Sequence, residues 1–322
     1  MRGLWIKIAI AGGLLVIAFI VAVVVLNQTV YTPSSFVRGY LDALARHDVK
    51  AALSLAGPLP SSSAVDDLLV VEVLGDLESY TVTETPGTGD VHAVVVEYRA
   101  DGRDGRASFR VEQTGSVLAM FPTWGFASSP LAELELTVQH ARDFTANGVR
   151  FVAPVQDVAS TYLAFTPGVI TFAHKSEFLT APDQTVVLGS PRTQRSIGID
   201  AQANSEFIRI VDEQVREYLD ACVAQERLFP IGCPFGQVIN DRLDSAPVWS
   251  IVAYPEIMVE PTTVPGEWHV PATQGTVRLQ VDVRSIADGE VSAFDTQMDF
   301  AMSFAATFVG AREIVVTPEL GG

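Results

Sequence analysis

Nineteen consecutive residues near the start of the chain, Ile8 to Leu26 (IAIAGGLLVIAFIVAVVVL), carry no charge. Wound as a helix at 1.5 Å per residue, the run covers about 28 Å, close to the roughly 30 Å of a bilayer's hydrocarbon core. It predicts one membrane-spanning helix over residues 8–26, with the lipid bilayer as its partner, a tail at 1–7 and a linker at 27–34. Arg2 and Lys7 precede the run, and the next basic residue is Arg38. The positive-inside bias then places the N-terminus in the cytoplasm and the bulk of the chain outside. Lys7 lies at the edge, where its amine can snorkel to the headgroups. The competing reading is a cleaved signal peptide, which has an apolar core of about 7–15 residues and small residues before the cut. This run is longer and ends in VAVVVLNQTV, with no A-x-A-like site, so an uncleaved anchor is expected.

Charge narrows the partners. Removing Arg2 and Lys7 from the 21 basic residues leaves 19 against 38 acidic ones in the exported part. A surface that acidic repels nucleic acid and anionic headgroups, so no nucleic acid is expected as a partner.

Beyond the anchor the chain contains a repeat. Val37-Arg38-Gly39-Tyr40-Leu41-Asp42-Ala43 matches Val215-Arg216-Glu217-Tyr218-Leu219-Asp220-Ala221 at six of seven positions, without gaps, at an offset of 178. Both segments have helical periodicity. Phe36, Val37, Tyr40, Leu41 and Leu44 share one face in the first; Phe207, Val211, Val215, Tyr218, Leu219 and Cys222 do so in the second. Pro33-Ser34-Ser35 and Ser205 are the expected starts. Each helix is followed by a Gly/Pro stretch and then by alternating strand sequence, an order that points to duplication.

In the first copy the strands are expected at Tyr80–Thr85, Val91–Arg99, Ala107–Glu112 and Leu118–Phe126, with a Gly-rich turn from Ala100 to Arg106. In the second they are expected at Val248–Tyr254, Thr276–Val283, Thr296–Phe308 and Glu313–Val316. Residues 128–204 show only short β runs between breakers such as Thr166-Pro167-Gly168 and Ser190-Pro191, and read as a small β domain. The fold class is α+β: an anchor, then a helix-on-curved-antiparallel-sheet domain at 35–127, the β domain at 128–204, a second such domain at 205–318, and a tail at 319–322.

The two cysteines, Cys222 and Cys233, are too few for a zinc site and lack redox C-x-x-C spacing. Two nearby thiols outside the cytoplasm pair, so a disulfide is expected; the alternative is two buried free thiols. The repeat offset places them over Leu44 and Leu55, where the first copy has apolar residues.

The helix pair "YLDAL…HD…AALSLAG" followed by strands resembles the nuclear-transport-factor-2-like (NTF2-like) fold. The layout as a whole resembles a group of actinobacterial single-pass envelope proteins. The matching features are the anchor, Trp124-x-Phe126-Ala127-x-x-Pro130-Leu131, Phe165-Thr166-Pro167-Gly168, and Tyr218 to Cys222 with Pro230 to Phe235. More remotely it is similar to the exported part of TcaA-type proteins, implicated in envelope stress and glycopeptide response, although the residues before the anchor contain no cysteine for a zinc ribbon. The resemblance implies two NTF2-like domains flanking the β domain, each with a cone-shaped cavity between helix and sheet. Tyr40, Tyr218, Trp124 and Trp249 are then the pocket candidates. On a helix, Tyr and Asp two apart point about 200° apart, so the tyrosines fit the core and Asp42 and Asp220 the solvent side, where Arg38 and Arg216 are i,i+4 partners.

No H-E-x-x-H, G-x-S-x-G, phosphate loop or dinucleotide fingerprint occurs, and the five histidines are scattered. No catalytic, metal or cofactor-binding residue is therefore nominated. The expected function is a non-catalytic binding or scaffolding module of the cell envelope, with another envelope protein or a cell-wall polymer as partner. The alternatives are an NTF2-like small-ligand sensor or enzyme and, last, a divergent hydrolase or transferase.

Overall fold

The computed structural model describes residues 2–60, 63–85, 91–189, 191, 195–310 and 313–319, with only the backbone at 2–9 and 11. The Lys7 amine, Ser190 of the expected breaker, and the tail beyond Glu319 lie outside what is described. The described residues form an α+β structure that is mostly sheet, with four α-helices. They divide into two compact units: unit 1 is residues 1–173 and 182–199, and unit 2 is residues 174–181 and 200–322.

In unit 1, α1 runs Arg2–Thr29 as one uninterrupted helix. Its window Gly12–Thr29 has a mean hydropathy of 2.2 and no residue buried against protein, so the chain holds a helix long and apolar enough to cross a membrane. Two short helices follow, α2 (Pro33–Ala45) and α3 (Val49–Ala56). The Thr32 hydroxyl caps α2 by accepting from the Ser35 amide, and Asp48 caps α3 by accepting from the Ala51 amide. Pro33 is the first helical residue of α2, where a missing N–H costs nothing. The helix thus starts at Pro33, as expected, with Thr32 as its cap.

A four-stranded antiparallel meander comes next, in the order β1 (Leu77–Thr85), β2 (Val91–Ala100), β3 (Arg103–Val117), β4 (Phe121–Phe126). Asp101 and Gly102, with φ of 47° and 70°, make the tight turn between β2 and β3. The turn is shorter than expected, because Ala100 belongs to β2 and Arg103 to Arg106 already belong to β3. Between β3 and β4 the sequence reading put a strand on Leu118 to Met120; these residues form the turn instead, with Val117 opposite Phe121. Helices α2 and α3 cover one face of this sheet. Val37, Tyr40, Leu41 and Leu44 pack there against Val94, Val96, Phe109 and Val111.

The middle segment is all β, in line with the short runs seen in the sequence. Its strands are β5 (Leu131–Gln139), β6 (Asp143–Ala146), β7 (Val149–Val152), β8 (Ser160–Phe165), β9 (Gly168–Lys175), β10 (Leu179–Leu188) and β11 (Arg195–Asp200). Leu131, Leu163, Phe165 and Val169 join the same apolar core as α2 and β1–β3. The segment expected as a separate domain thus shares its interior with the first one. Periodicity gives the strands but not which surface they cover.

In unit 2, β12 (Gln202–Ala203) leads into α4 (Ser205–Val223). Asn204 caps α4 by accepting from the Glu206 and Phe207 amides, and the helix starts at Ser205 as expected. Phe207, Val211, Val215, Leu219 and Cys222 form the buried stripe. The sheet contains β13 (Arg242–Leu243), β14 (Val248–Ala253), β15 (Glu260–Pro261), β16 (Glu267–Arg284), β17 (Val291–Val309) and β18 (Glu313–Glu319). Its path is β13-β16-β17-β18, with β14 and β15 also pairing with β16. Strands of 18 and 19 residues make β16 and β17 a ladder roughly 60 Å long. Both outrun their expected lengths. Gly275 interrupts the alternation in the sequence but not the pairing, and the register shifts at a bulge between Val270 and Thr273 and then resumes. A Cβ at position 275 would collide with the Phe300 ring, so glycine is what lets the two strands stay paired there.

Candidate functional site

The four aromatic pocket candidates are placed as packing and anchoring residues. Tyr40 is fully buried, with Phe126 at 5.2 Å and Phe109 at 6.1 Å between ring centroids. Its burial drives the phenol pKa well above the ordinary range. Trp124 is half-buried and donates its indole N–H to the Tyr31 carbonyl at 3.0 Å. The void beside the C-terminal end of α2, lined by Leu44, Leu68, Val73, Leu77, Phe165 and Ile170, amounts to about 20 Å³. That is room for about one water.

In unit 2, Tyr218 stacks edge-on to Phe304 at 5.7 Å and donates its hydroxyl to the Gly232 carbonyl. Trp249 donates to the Arg227 carbonyl at 2.7 Å and lies 5.0 Å from the Phe235 ring. Both aromatic residues thereby hold the loop that follows α4. Cys222 on α4 and Cys233 in that loop are joined by a disulfide. Gln225 adds hydrogen bonds to both the amide and the carbonyl of Ile231.

The expected helix-surface ion pairs are arranged differently. Arg216 pairs with Asp212 at 2.7 Å and lies 4.4 Å over the Tyr254 ring. Asp220 instead accepts the Tyr254 hydroxyl at 2.5 Å, and Asp42 accepts the Tyr80 hydroxyl. Asp42 and Asp220 do face solvent, but a tyrosine from the neighbouring sheet reaches each of them.

Among the described residues, no three His, Cys, Asp or Glu side chains converge as a metal site. A serine and a histidine do meet: His174 Nε2 lies 3.2 Å from the Ser176 hydroxyl. That hydroxyl donates to the Leu179 carbonyl and accepts from the Leu179 amide. It is part of a local side-chain turn, and His174 is only 2 % exposed. Neither residue stood out in the sequence, since two positions along a strand carry no catalytic spacing.

What remains open is backbone. Among the described residues, β17 pairs with β16 on one side from Val291 to Met302, while β18 covers the other side only from Ser303 onward. Unpaired strand edges are normally blunted by Lys, Pro, bulges or short length. This stretch, VSAFDTQMDFAM, has no Lys, Arg or Pro. Its two acids are engaged across the ladder, Asp295 by Arg278 and Gln280, and Asp299 by Thr276 at 2.8 Å.

Where β18 stops, the edge borders a groove of about 540 Å³ walled by Phe229, Cys233, Pro234 and Phe235, with Met302 and Glu319 on the strand side. Phe229 is 56 % exposed. The strand itself was legible in the sequence, but the missing neighbour on its far side was not. No known protein family, curated protein or solved structure matches this chain.

Proposed function

We propose that this chain is a non-catalytic envelope protein, anchored by α1 with its N-terminus in the cytoplasm and both units outside. In this reading it binds an extended segment of another envelope protein by strand addition along β17. The observation that carries the reading is the open edge from Val291 to Met302 beside an apolar groove. Backbone pairing supplies affinity in strand addition, and pockets for alternate side chains supply selectivity. A polypeptide fits such an edge better than a wall polymer, because a glycan has no amide ladder to offer.

The orientation rests on Arg2 and Lys7 preceding an uncharged stretch that lasts until Arg38. The Cys222–Cys233 disulfide fits an oxidising compartment. The packed helix–sheet interior of unit 1 speaks against a small-ligand pocket there. We further read the two helix-on-sheet modules as NTF2-like and duplicated, in the manner of the envelope proteins the sequence resembles. Three observations support this: the seven-residue repeat, the same helix-then-meander order, and a tyrosine–aspartate hydrogen bond at the same repeat position in each.

The test uses the full anchored chain in cells, with a photo-crosslinking residue at Ala293 or Ala301. The expected result is one reproducible protein adduct. In the reconstituted complex, the backbone amides of 291–302 should then gain protection from hydrogen exchange. A partner that leaves those amides unprotected, or crosslinks no stronger than those from Arg103, would overturn strand addition.

A further inference from the structure

We propose that the tip of the β3–β4 hairpin, Val117 to Phe121, sits in the lipid interface where α1 leaves the bilayer, as a second membrane contact of unit 1. The inference rests on reading α1 as a span. The tip is level with the end of the apolar run: Asn27, one residue past Leu26, donates its side-chain amide to the Met120 carbonyl at 2.9 Å. Tyr31 stacks on Phe121 at 4.6 Å, and Trp124 donates to the Tyr31 carbonyl. Amphipathic aromatic residues gather at this depth because their rings prefer the acyl boundary and their polar groups the headgroups.

The tip is built for an apolar surrounding. Val117 is 51 % exposed, Leu118 73 % and Met120 38 %. Leu118 and Ala119 both have a φ of 52°. Turns with two positive φ values favour Asn and Gly, which are polar or small and escape the steric penalty. Here leucine and alanine take those places, and the leucine faces outward. A turn in water gains nothing from that choice, whereas a turn in lipid gains the transfer of its apolar side chains.

Charge agrees. Gln113 to Ala132 contains no charged residue, where a chain with 18 % charge would carry about four. Ile8 to Val37 contains none either. The contacts at Asn27 and Tyr31 bring these two stretches together, so an otherwise acidic protein presents a neutral face beside its anchor. The occupant is therefore the bilayer at its acyl–headgroup boundary. It is continuous with the lipid around α1, and Val30, 55 % exposed, lies between the two contacts. Held at two points, unit 1 would have a fixed stance on the membrane instead of swinging on the linker.

The experiment places the full chain in nanodiscs of zwitterionic phosphatidylcholine. Leu118→Cys, Arg103→Cys and Val16→Cys variants are each labelled with an environment-sensitive fluorophore, without reductant so that Cys222–Cys233 stays closed. Arg103 is exposed at the opposite end of β3, roughly 50 Å from the tip. Lipids carrying a nitroxide at a shallow or a deep acyl position serve as quenchers. The expected result is a blue-shifted label at 118, quenched several-fold more by the shallow nitroxide than the label at 103, with the label at 16 quenched by the deep one. Quenching at 16 but not at 118 would overturn the inference and leave the span intact. A blue shift at 118 without lipid quenching would do the same, because protein would then cover the tip. Loss of quenching at 16 would remove the span and the inference together.

Discussion

The Tyr254 hydroxyl donates to the Asp220 carboxylate at 2.5 Å, tying α4 to the end of β14, and Tyr80 on β1 does the same to Asp42 on α2. In each case the aspartate belongs to the repeated seven residues while the tyrosine lies outside them. The repeat therefore marks a helix together with its docking contact. Each bond is exposed, which limits its contribution. Replacing Tyr80 or Tyr254 by Phe is expected to lower stability by about 1 kcal/mol or less, because water can replace the lost donor. Paired denaturation curves of the full chain in detergent check this; a loss several times larger would mean that the tyrosine is a core anchor.

The same contact sets an alkaline limit. The Tyr80 phenol is raised from 10.0 to about 12, first by partial burial and then by the neighbouring Asp42 carboxylate. A raised phenol holds its proton more tightly in the folded state than in the unfolded one. Its stabilisation is fully present below pH 10 and is lost as pH rises toward 12. Unfolding midpoints measured between pH 9 and about 11.5 should fall, and should fall less steeply in Tyr80→Phe. Equal slopes in the two proteins would show that Tyr80 is not linked to folding.

The disulfide closes a short loop between Cys222 and Cys233. Constraint of the unfolded chain makes such a closure worth about 3 kcal/mol. The double variant Cys222→Ser/Cys233→Ser should melt lower by a corresponding amount. It should also expose the loop that carries Phe229 and Phe235 to limited proteolysis. Tyr218 and Trp249 still hold that loop, so the variant is expected to fold, and non-reducing gels of wild type should show the mobility shift that the variant lacks.

How far the sequence reached depended on whether a feature was local. The long apolar helix α1 and the amphipathic stripes of α2 and α4 were legible because each depends on residues within a few turns. The cysteine pair followed from compartment and number. The helix starts at Pro33 and Ser205 were legible from the proline and serine there, and Thr32 and Asn204 supply the caps just before them. The turn at Leu118 to Met120 was missed because apolar side chains there imitate a strand. Long-range facts were out of reach: Leu131 and Phe165 joining the first core, Tyr254 reaching Asp220, and the absent neighbour of β17 all depend on which surfaces meet.

Orientation can be tested on whole cells. No charged residue lies between Lys7 and Arg38, and in the proposed orientation Arg2 and Lys7 are expected on the cytoplasmic side. Protease added to intact cells with the outer layers made permeable should digest both units, while an epitope at the N-terminus survives until the membrane is opened. Digestion of the N-terminal epitope first would reverse the topology and remove the disulfide argument with it.

The last prediction concerns the open edge. Charged side chains on an edge strand oppose the approach of another strand, because pairing would strip their water. Ala293 and Gln297 are exposed on β17, and among the described residues neither side chain bridges the ladder. Ala293→Lys/Gln297→Lys should therefore leave the melting temperature nearly unchanged, within about 0.5 kcal/mol of stability. It should weaken binding of the crosslinked partner about tenfold if that partner adds a strand here. Isothermal titration of the partner against both proteins separates the outcomes: unchanged affinity in a folded variant places the partner elsewhere, and the edge would then be only an unguarded stretch of sheet.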